Sequence, residues 1–164
     1  MDKLLAGRVA LVTGATSGIG AATARLLAAH GAVTYCGDLV EPEADEVGSS
    51  DTTTSRTVHM RLDVREEADW ETAVSAVLER EGRLDVLVHS AGIAAASPLA
   101  DTTLAEWRRV LATNLDGSFL AIKHGIRAMK ESGGAIVVIG SASGIRPSRC
   151  SSRTSRISTK TTPS

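Results

Sequence analysis

The chain has 164 residues, 43% of them hydrophobic and 23% charged, and a net charge of −1. These values fit one globular domain, or at most a small two-domain protein, and exclude wholesale disorder, collagen-like repeats and a coiled coil. They give no bulk electrostatic reason to bind nucleic acid or an anionic membrane, and no apolar run is long enough to span a membrane. Two cysteines, Cys36 and Cys150, are too few for a disulfide scaffold or a metal cluster. With no signal-peptide pattern at the N-terminus, we expect a cytoplasmic protein without a metal site.

Strand-like and helix-like segments alternate along residues 1–147. We predict strands over 8–13, 32–37, 57–63, 84–89 and 135–140, and helices over 21–30, 68–80 and most of 104–129. The strands are short, continuous apolar runs, as expected where helices cover both faces of a sheet. One face of the helix over 68–80 collects its apolar residues, namely Trp70, Ala73, Val74, Val77 and Leu78. The alternation predicts an α/β fold with a doubly wound parallel sheet of about five strands.

The composition changes after residue 147. Residues 148–164 contain ten Ser or Thr, four basic residues and no acidic residue, and Ile157 alone could anchor them in a core. So little apolar surface cannot offset the entropy of ordering, so we expect a disordered tail. Residues 1–147 then form the folded domain. That domain carries a net charge of −5, because all 19 acidic but only 14 basic residues lie in it.

A glycine-rich segment, Thr13-Gly14-Ala15-Thr16-Ser17-Gly18-Ile19-Gly20, joins the first strand to the first helix. Glycines in this context allow a tight turn, close approach of a pyrophosphate and close packing of the helix on the strand. The helix N-terminus favours an anion. Asp38 follows 18 residues after Gly20, near the spacing of a carboxylate that binds the ribose diol of adenosine. The pattern predicts dinucleotide binding, and the alternative is an ordinary tight turn with a loop aspartate.

The Thr-Gly-x-x-x-Gly-Ile-Gly pattern resembles the signature of the short-chain dehydrogenase/reductase family, and the resemblance runs from about Gly7 to about Pro147. It implies a Rossmann-type fold over residues 1–147. By resemblance, the cofactor-binding positions of this chain are Gly14, Ser17, Gly18, Ile19, Gly20, Asp38, Asp63, Val64, Ser90, Ala91 and Gly92.

Two of these matches have specific features. Asp63-Val64 matches the pair that contacts the adenine ring in the family, whereas alone Asp63 would be read as a loop carboxylate. Ala91-Gly92 matches the end of the family's Asn-Asn-Ala-Gly motif, but His89 and Ser90 replace both asparagines. We expect His89 to be a buried core residue rather than a ligand.

The resemblance also implies two catalytic positions. Asn114 matches the helix asparagine that holds a water of the proton relay, and Ser141 matches the serine that hydrogen-bonds the substrate oxygen. The alternative for Asn114 is a helix-interior residue bonding locally. Trp107 and Phe119 flank Asn114, and we expect both in the core.

Asp38 bears on the choice of cofactor. A carboxylate there accepts hydrogen bonds from the ribose hydroxyls of NAD and repels the 2′-phosphate of NADP. Thr16, Ser17 and Gly37 supply no cation that would counter the repulsion. We therefore expect NAD, with NADP disfavoured.

The family's Tyr-x-x-x-Lys motif is absent. Its positions hold Thr154 and Ser158, and the only tyrosine, Tyr35, lies in the second strand, which we place beside the adenosine side of the site. No Ser or Thr hydroxyl titrates near neutrality, so none can replace the tyrosine as proton donor. We expect a family member truncated or frameshifted after about Pro147. A genuine C-terminal variant and a deliberately altered sequence are the alternatives.

Three functions follow from these observations. The first is an NAD-dependent oxidoreductase that moves hydride between a secondary alcohol and a ketone, inactive in this chain. The second is a non-catalytic dinucleotide-binding remnant. The third is weak phosphate binding by the basic tail, which lacks aromatic residues for base stacking, so a solvated tail is the simpler interpretation. Relatives form homo-oligomers through the helix around Asn114, and we expect this chain to be marginally stable or to aggregate.

Overall fold

A computed structural model describes residues 3–40, 56–95 and 97–141. The strands are β1 (Val9–Thr13), β2 (Val33–Asp38), β3 (Arg56–Arg61), β4 (Val86–His89) and β5 (Ala135–Val138). The helices are α1 (Gly18–Ala29), α2 (Glu67–Glu81), α3 (Leu104–Leu111) and α4 (Gly117–Ala128), with a π-helical turn over Ala112–Asp116 and a 3-10 turn over Leu99–Asp101. Each predicted element is present with its ends within three residues of the predicted ones, except that the single helix predicted over 104–129 is divided by the π-helical turn.

The five strands form one parallel sheet in the order β3-β2-β1-β4-β5. From β1 the chain moves outward through β2 to β3, then returns to the other side of β1 with β4. The connections after β1 and β4 therefore diverge and leave a crevice at the carboxyl ends of these strands. Open α/β sheets bind ligands at such a point. The predicted α/β, doubly wound fold is confirmed.

The two faces of the sheet are covered differently. Helices α2 and α4 cover one face, where the larger apolar cluster surrounds the fully buried Trp70. Helix α1 covers the other face with small residues such as Ala24, which packs near Cys36 and Val88. The predicted inner face of α2 is confirmed, because Trp70, Ala73, Val74 and Val77 are buried and Leu78 packs against them while half-buried.

The expectation that Trp107 and Phe119 lie in the core was wrong. Trp107 is 47% exposed and Phe119 is 61% exposed. Helix α4 meets the sheet through the face that carries Leu120 and Ala121, so Phe119 projects from the opposite face. Helix α3 has no buried residue, which leaves Trp107 on an outer surface.

Strand β5 pairs only with β4 within the described part of the chain. Val137 and Val138 are 46% and 40% exposed, respectively. The predicted disordered tail, with Cys150, Thr154 and Ser158, lies outside the described residues. Among residues that are described, no helix is long and apolar enough to cross a membrane, and no group of three or more potential metal ligands occurs.

Candidate functional site

The glycine-rich loop is held by close backbone contacts. Gly14 and Gly18 have φ angles of +67° and +53°, which favour glycine. A Cβ on Gly20 would lie 2.1 Å from the carbonyl oxygen of Gly14, and a Cβ on Gly14 would lie 2.8 Å from the backbone nitrogen of Ala91. The loop therefore lies directly against the first turn of α1 and against the segment after β4, and a side chain at either glycine would force them apart.

The N-terminus of α1 faces this loop. Ser17 is the N-cap residue, and its side chain makes no capping hydrogen bond. The first hydrogen bond of the helix runs from the Ala21 amide to the Ser17 carbonyl, at 3.1 Å. The amides of Gly18, Ile19 and Gly20 come earlier in the chain, and the first turn of a helix offers them no acceptor. They form the positive end of the helix dipole, which favours an anion.

Asp38 ends β2 beside the same loop. Its Oδ2 accepts hydrogen bonds from the Thr16 amide at 3.1 Å and from the Thr16 hydroxyl at 2.6 Å. Its Oδ1 accepts a bond from the Leu39 amide at 2.8 Å. All three donors are neutral, and no cation pairs with Asp38 in the described ranges. The role of Thr16 was missed by sequence reasoning, although a hydroxyl residue in the loop was the available signal.

Asp63 is 4% exposed and is held by Arg65. The guanidinium donates from Nη2 to Oδ2 at 2.5 Å and from Nε to Oδ1 at 2.9 Å, and the Arg65 amide donates to Oδ1 at 3.0 Å. The Arg65 hydrogen bonds hold the pKa of Asp63 below its usual value, although burial opposes them. The carboxylate is therefore ionised and fixed in orientation. Sequence reasoning missed Arg65, whose only signal was a basic residue two positions after Asp63.

A cavity of about 410 Å³ opens at the carboxyl ends of the central strands. Ten of the eleven predicted cofactor positions line it, and Gly20 is the one that does not. The lining residues are Gly14, Thr16, Ser17, Gly18, Ile19, Asp38, Leu39, Leu62, Asp63, Val64, Arg65, Ser90, Ala91, Gly92, Ile93, Arg109, Thr113 and Ile139. The fold thus gathers residues from six separate segments of the chain into one site.

Asn114 lies in the π-helical turn and contacts the segment after β4. Its Oδ1 accepts a hydrogen bond from the Ile93 amide at 2.9 Å, and its Nδ2 donates to the Ile93 carbonyl at 2.8 Å. The side chain therefore bonds 21 residues away and not within its own helix, contrary to the local-bonding alternative. Neither Asn114 nor Ser141 lines the cavity, and Ser141 is exposed after β5.

Tyr35 does not lie at this site. Its hydroxyl donates to Glu81 Oε1 at 2.7 Å, and Glu81 is the last residue of α2. Burial and the Glu81 carboxylate raise the pKa of Tyr35. The placement beside the adenosine side was wrong, because α2 runs back along the sheet and ends away from the carboxyl ends of the strands.

His89 is a core residue, as expected, with 1% exposure. Its Nδ1 lies 2.8 Å from the Thr13 hydroxyl oxygen. The same oxygen accepts hydrogen bonds from the amides of Ser90 and Ala91, each at 3.3 Å. Burial lowers the pKa of His89 to about 4, so the ring is neutral at pH 7.

The sequence model of a protein family described as short chain dehydrogenase matches residues 8–153. The chain belongs to the short-chain dehydrogenase family. It is 41% identical over 148 residues to the trans-4-hydroxycyclohexanecarboxylate dehydrogenase of Sinomonas cyclohexanicum, a match that covers 86% of this chain and 57% of that protein. It is 40% identical over 146 residues to the 3-alpha-(or 20-beta)-hydroxysteroid dehydrogenase of Mycobacterium bovis, covering 88% and 55%.

Solved structures of the family share the fold described here. A crystal structure of a short chain dehydrogenase from Mycobacterium smegmatis matches with a TM-score of 0.80 at 34% identity, covering 89% of this chain and 63% of that one. The chain spans little more than half the length of the curated relatives it matches, at 57% and 55%.

Proposed function

We propose that residues 1–147 form a nucleotide-binding domain that takes NAD into the cavity, and that residues 148–164 lie outside this domain. The observation that carries the proposal is the cradle of glycine backbone. A Cβ at Gly14 or Gly20 would fill the space where the loop meets α1 and Ala91. Such a cradle fits a pyrophosphate, which needs close approach of backbone amides.

The two carboxylates of the cavity suit the adenosine half of NAD. Asp38 is held by Thr16 and Leu39 through three neutral donors, so its charge has no cationic partner in the described ranges and its Oδ1 keeps one acceptor site for a ribose hydroxyl. The same charge disfavours the 2′-phosphate of NADP. Arg65 makes four hydrogen bonds to the two oxygens of Asp63, so the amino group of adenine would share an oxygen with one of these donors.

The bound nicotinamide would supply hydride transfer to a ketone or from a secondary alcohol. Ser141 would hydrogen-bond the substrate oxygen, and Asn114 would hold a water of the proton relay. The names of the relatives favour a secondary alcohol on a saturated ring as substrate. The absence of Tyr-x-x-x-Lys from the sequence favours the second candidate function, which is NAD binding without turnover by this chain.

Isothermal titration calorimetry of the full chain with NAD, NADP and ADP-ribose tests the proposal. NAD and ADP-ribose should bind, and NADP should bind at least about tenfold more weakly because its 2′-phosphate meets Asp38. Asp38→Ala should weaken NAD binding by roughly tenfold to a hundredfold, as expected for losing hydrogen bonds to a charged group.

Asp101→Ala is the matched control, because it removes the same charge from an exposed 3-10 turn outside the cavity. It should leave NAD binding unchanged. A wild-type chain that binds neither NAD nor ADP-ribose would contradict the proposal. Formation of NADH from a cyclic secondary alcohol would favour the active oxidoreductase over the non-catalytic alternative.

A further inference from the structure

Thr13 and His89 form a buried polar pair at the ends of adjacent strands. They are register partners on β1 and β4, and their exposures are 0% and 1%. The Thr13 oxygen lies 2.8 Å from His89 Nδ1. Neither residue lines the cavity, but both adjoin residues that do: Gly14 follows Thr13, and Ser90 follows His89.

The hydrogen bonds of Thr13 bear on which nitrogen of the neutral His89 ring carries the proton. A threonine hydroxyl has one proton and two acceptor sites. Both acceptor sites of Thr13 are used by the amides of Ser90 and Ala91, each at 3.3 Å. The hydroxyl proton must therefore go to His89 Nδ1. The neutral ring then carries its proton on Nε2, which has no hydrogen-bond partner in the described part of the chain.

The surroundings of His89 give Nε2 little compensation. Trp70 of α2 packs against the ring, with centroids 6.1 Å apart, and the ring of His124 on α4 stacks on Trp70 at 6.3 Å. Glu67 pairs with Lys123 next to this cluster, and Glu67 Oε1 lies 3.5 Å from His124 Nε2. Nε2 lacks a partner in either tautomer, so the one polar contact of the ring in the described residues is at Nδ1.

We propose that His89 is a positioning residue of the cofactor cavity, because its Nδ1 accepts the Thr13 proton and so aims the Thr13 oxygen at the amides of Ser90 and Ala91. These two residues form the cavity wall that lies against Gly14. The inference rests on the proposed NAD site. It means that position 89 needs a side chain that accepts a hydrogen bond. The histidine ring nitrogen would do so here, where the family motif has a side-chain amide.

The tautomer of His89 can be measured directly on the full chain. A long-range ¹H–¹⁵N NMR spectrum at pH 7, assigned with Thr13→Val and His89→Asn, should show His89 protonated at Nε2 and unprotonated at Nδ1. Protonation at Nδ1 would overturn the proposal, because the ring would then donate to Thr13 and could not accept its proton.

Variants test the effect on the cavity. His89→Asn keeps an acceptor and should bind ADP-ribose within about threefold of wild type, whereas His89→Leu should weaken binding by roughly threefold to tenfold, the effect of one lost hydrogen bond. Thr13→Val should weaken binding at least as much as His89→Leu, because the Ser90 and Ala91 amides also lose their acceptor, and the double variant should be no weaker than Thr13→Val. His59→Leu, which removes a partly buried ring from β3, is the control and should bind normally.

Two results would contradict the positioning role: wild-type affinity in His89→Leu, or equal weakening in His89→Asn and His89→Leu. If the wild-type chain does not bind ADP-ribose at all, the proposed NAD site fails. The NMR measurement still decides whether His89 accepts the Thr13 proton, since it needs no ligand.

Discussion

The shape of the cavity depends most on the glycines that leave no room for a side chain. At Gly20, the nearest atom to an added Cβ is a backbone oxygen at 2.1 Å, which cannot move without displacing the loop. At Gly37, by contrast, the nearest atom is a side-chain carbon of Leu62 at 2.9 Å. A flexible side chain can adjust more cheaply than the backbone, so Gly20 is the stricter requirement.

Gly20→Ala should abolish detectable NAD binding and lower the free energy of unfolding by about 1–3 kcal/mol, the usual cost of overpacking. Chemical denaturation and calorimetric titration with NAD measure both effects. Gly140→Ala is the control, because an added Cβ there meets no atom within 4 Å. Normal NAD affinity in Gly20→Ala would show that the loop does not need its close contact with α1.

The connection from α3 to α4 bears on the site as well as α1 does. The π-helical turn adds a residue between two α-helical segments, a feature that is frequent at functional sites. Asn114 lies in this turn and bonds both polar backbone groups of Ile93, which lines the cavity. These two hydrogen bonds hold the π-helical turn against the segment after β4.

Asn114→Ala should lower the free energy of unfolding by about 1–3 kcal/mol, because the Ile93 amide and carbonyl lose their partners. NAD affinity should fall as well. Asn114→Asp keeps the acceptor for the Ile93 amide but loses the donor, so it should be intermediate. Urea denaturation with and without NAD measures the effects, and equal stability of all three proteins would refute a structural role for these bonds.

The outer face of α4 presents an apolar stripe. Phe119, Ile122 and Ile126 are 61%, 40% and 58% exposed, and Leu115 of the preceding turn is 61% exposed. Because Val138 of β5 is exposed as well, we expect the chain to self-associate through these apolar surfaces.

Sedimentation velocity should show concentration-dependent association of the wild-type chain. Substituting both Phe119→Glu and Ile126→Glu should shift the chain toward the monomer, because charges on the stripe oppose its burial. Leu99→Glu is the control, since Leu99 is 79% exposed on the separate 3-10 turn. A wild-type chain that stays monomeric at all concentrations would contradict the prediction.

At the scale of the whole molecule, acid should destabilise the fold. Burial lowers the pKa of His89 from 6.5 to about 4, so the unfolded chain binds a proton that the folded chain excludes. Stability is therefore full above pH 6.5 and falls as the pH drops toward 4, by up to about 3 kcal/mol. Urea denaturation between pH 7 and 4.5 should show the loss, and His89→Asn should remove most of it.

Asp85 makes the stability of the fold depend on pH in a second, more acidic range. Burial opposes the shift, but hydrogen bonds from Arg83, the Val9 amide and Arg8 lower the pKa of Asp85 from 3.8 to about 2. The stability contributed by this carboxylate is present above pH 4 and is lost as the pH falls toward 2. Asp85→Asn should therefore remove the change of stability with pH between pH 4 and pH 2. The change of stability with pH above pH 4.5 should stay as in the wild type.

Most of the architecture was predictable from the sequence because its signals are local. The apolar runs, the glycine loop and the distance from Gly20 to Asp38 are readable along the chain, and they sufficed for the parallel sheet and the cavity. The family resemblance supplied Asp63 and Asn114, which no local pattern distinguishes from ordinary polar residues.

By itself, the sequence determined the order of the elements and the place of the glycine-rich loop before α1, since periodicity and glycine spacing are properties of neighbouring residues. Only the tertiary structure decided that Thr16 bonds Asp38 and that His89 contacts Thr13. It also decided that Phe119 is exposed. These depend on strand register and on which helix face meets the sheet. Thr13 and His89 are 76 residues apart, and they become neighbours only when β1 pairs with β4.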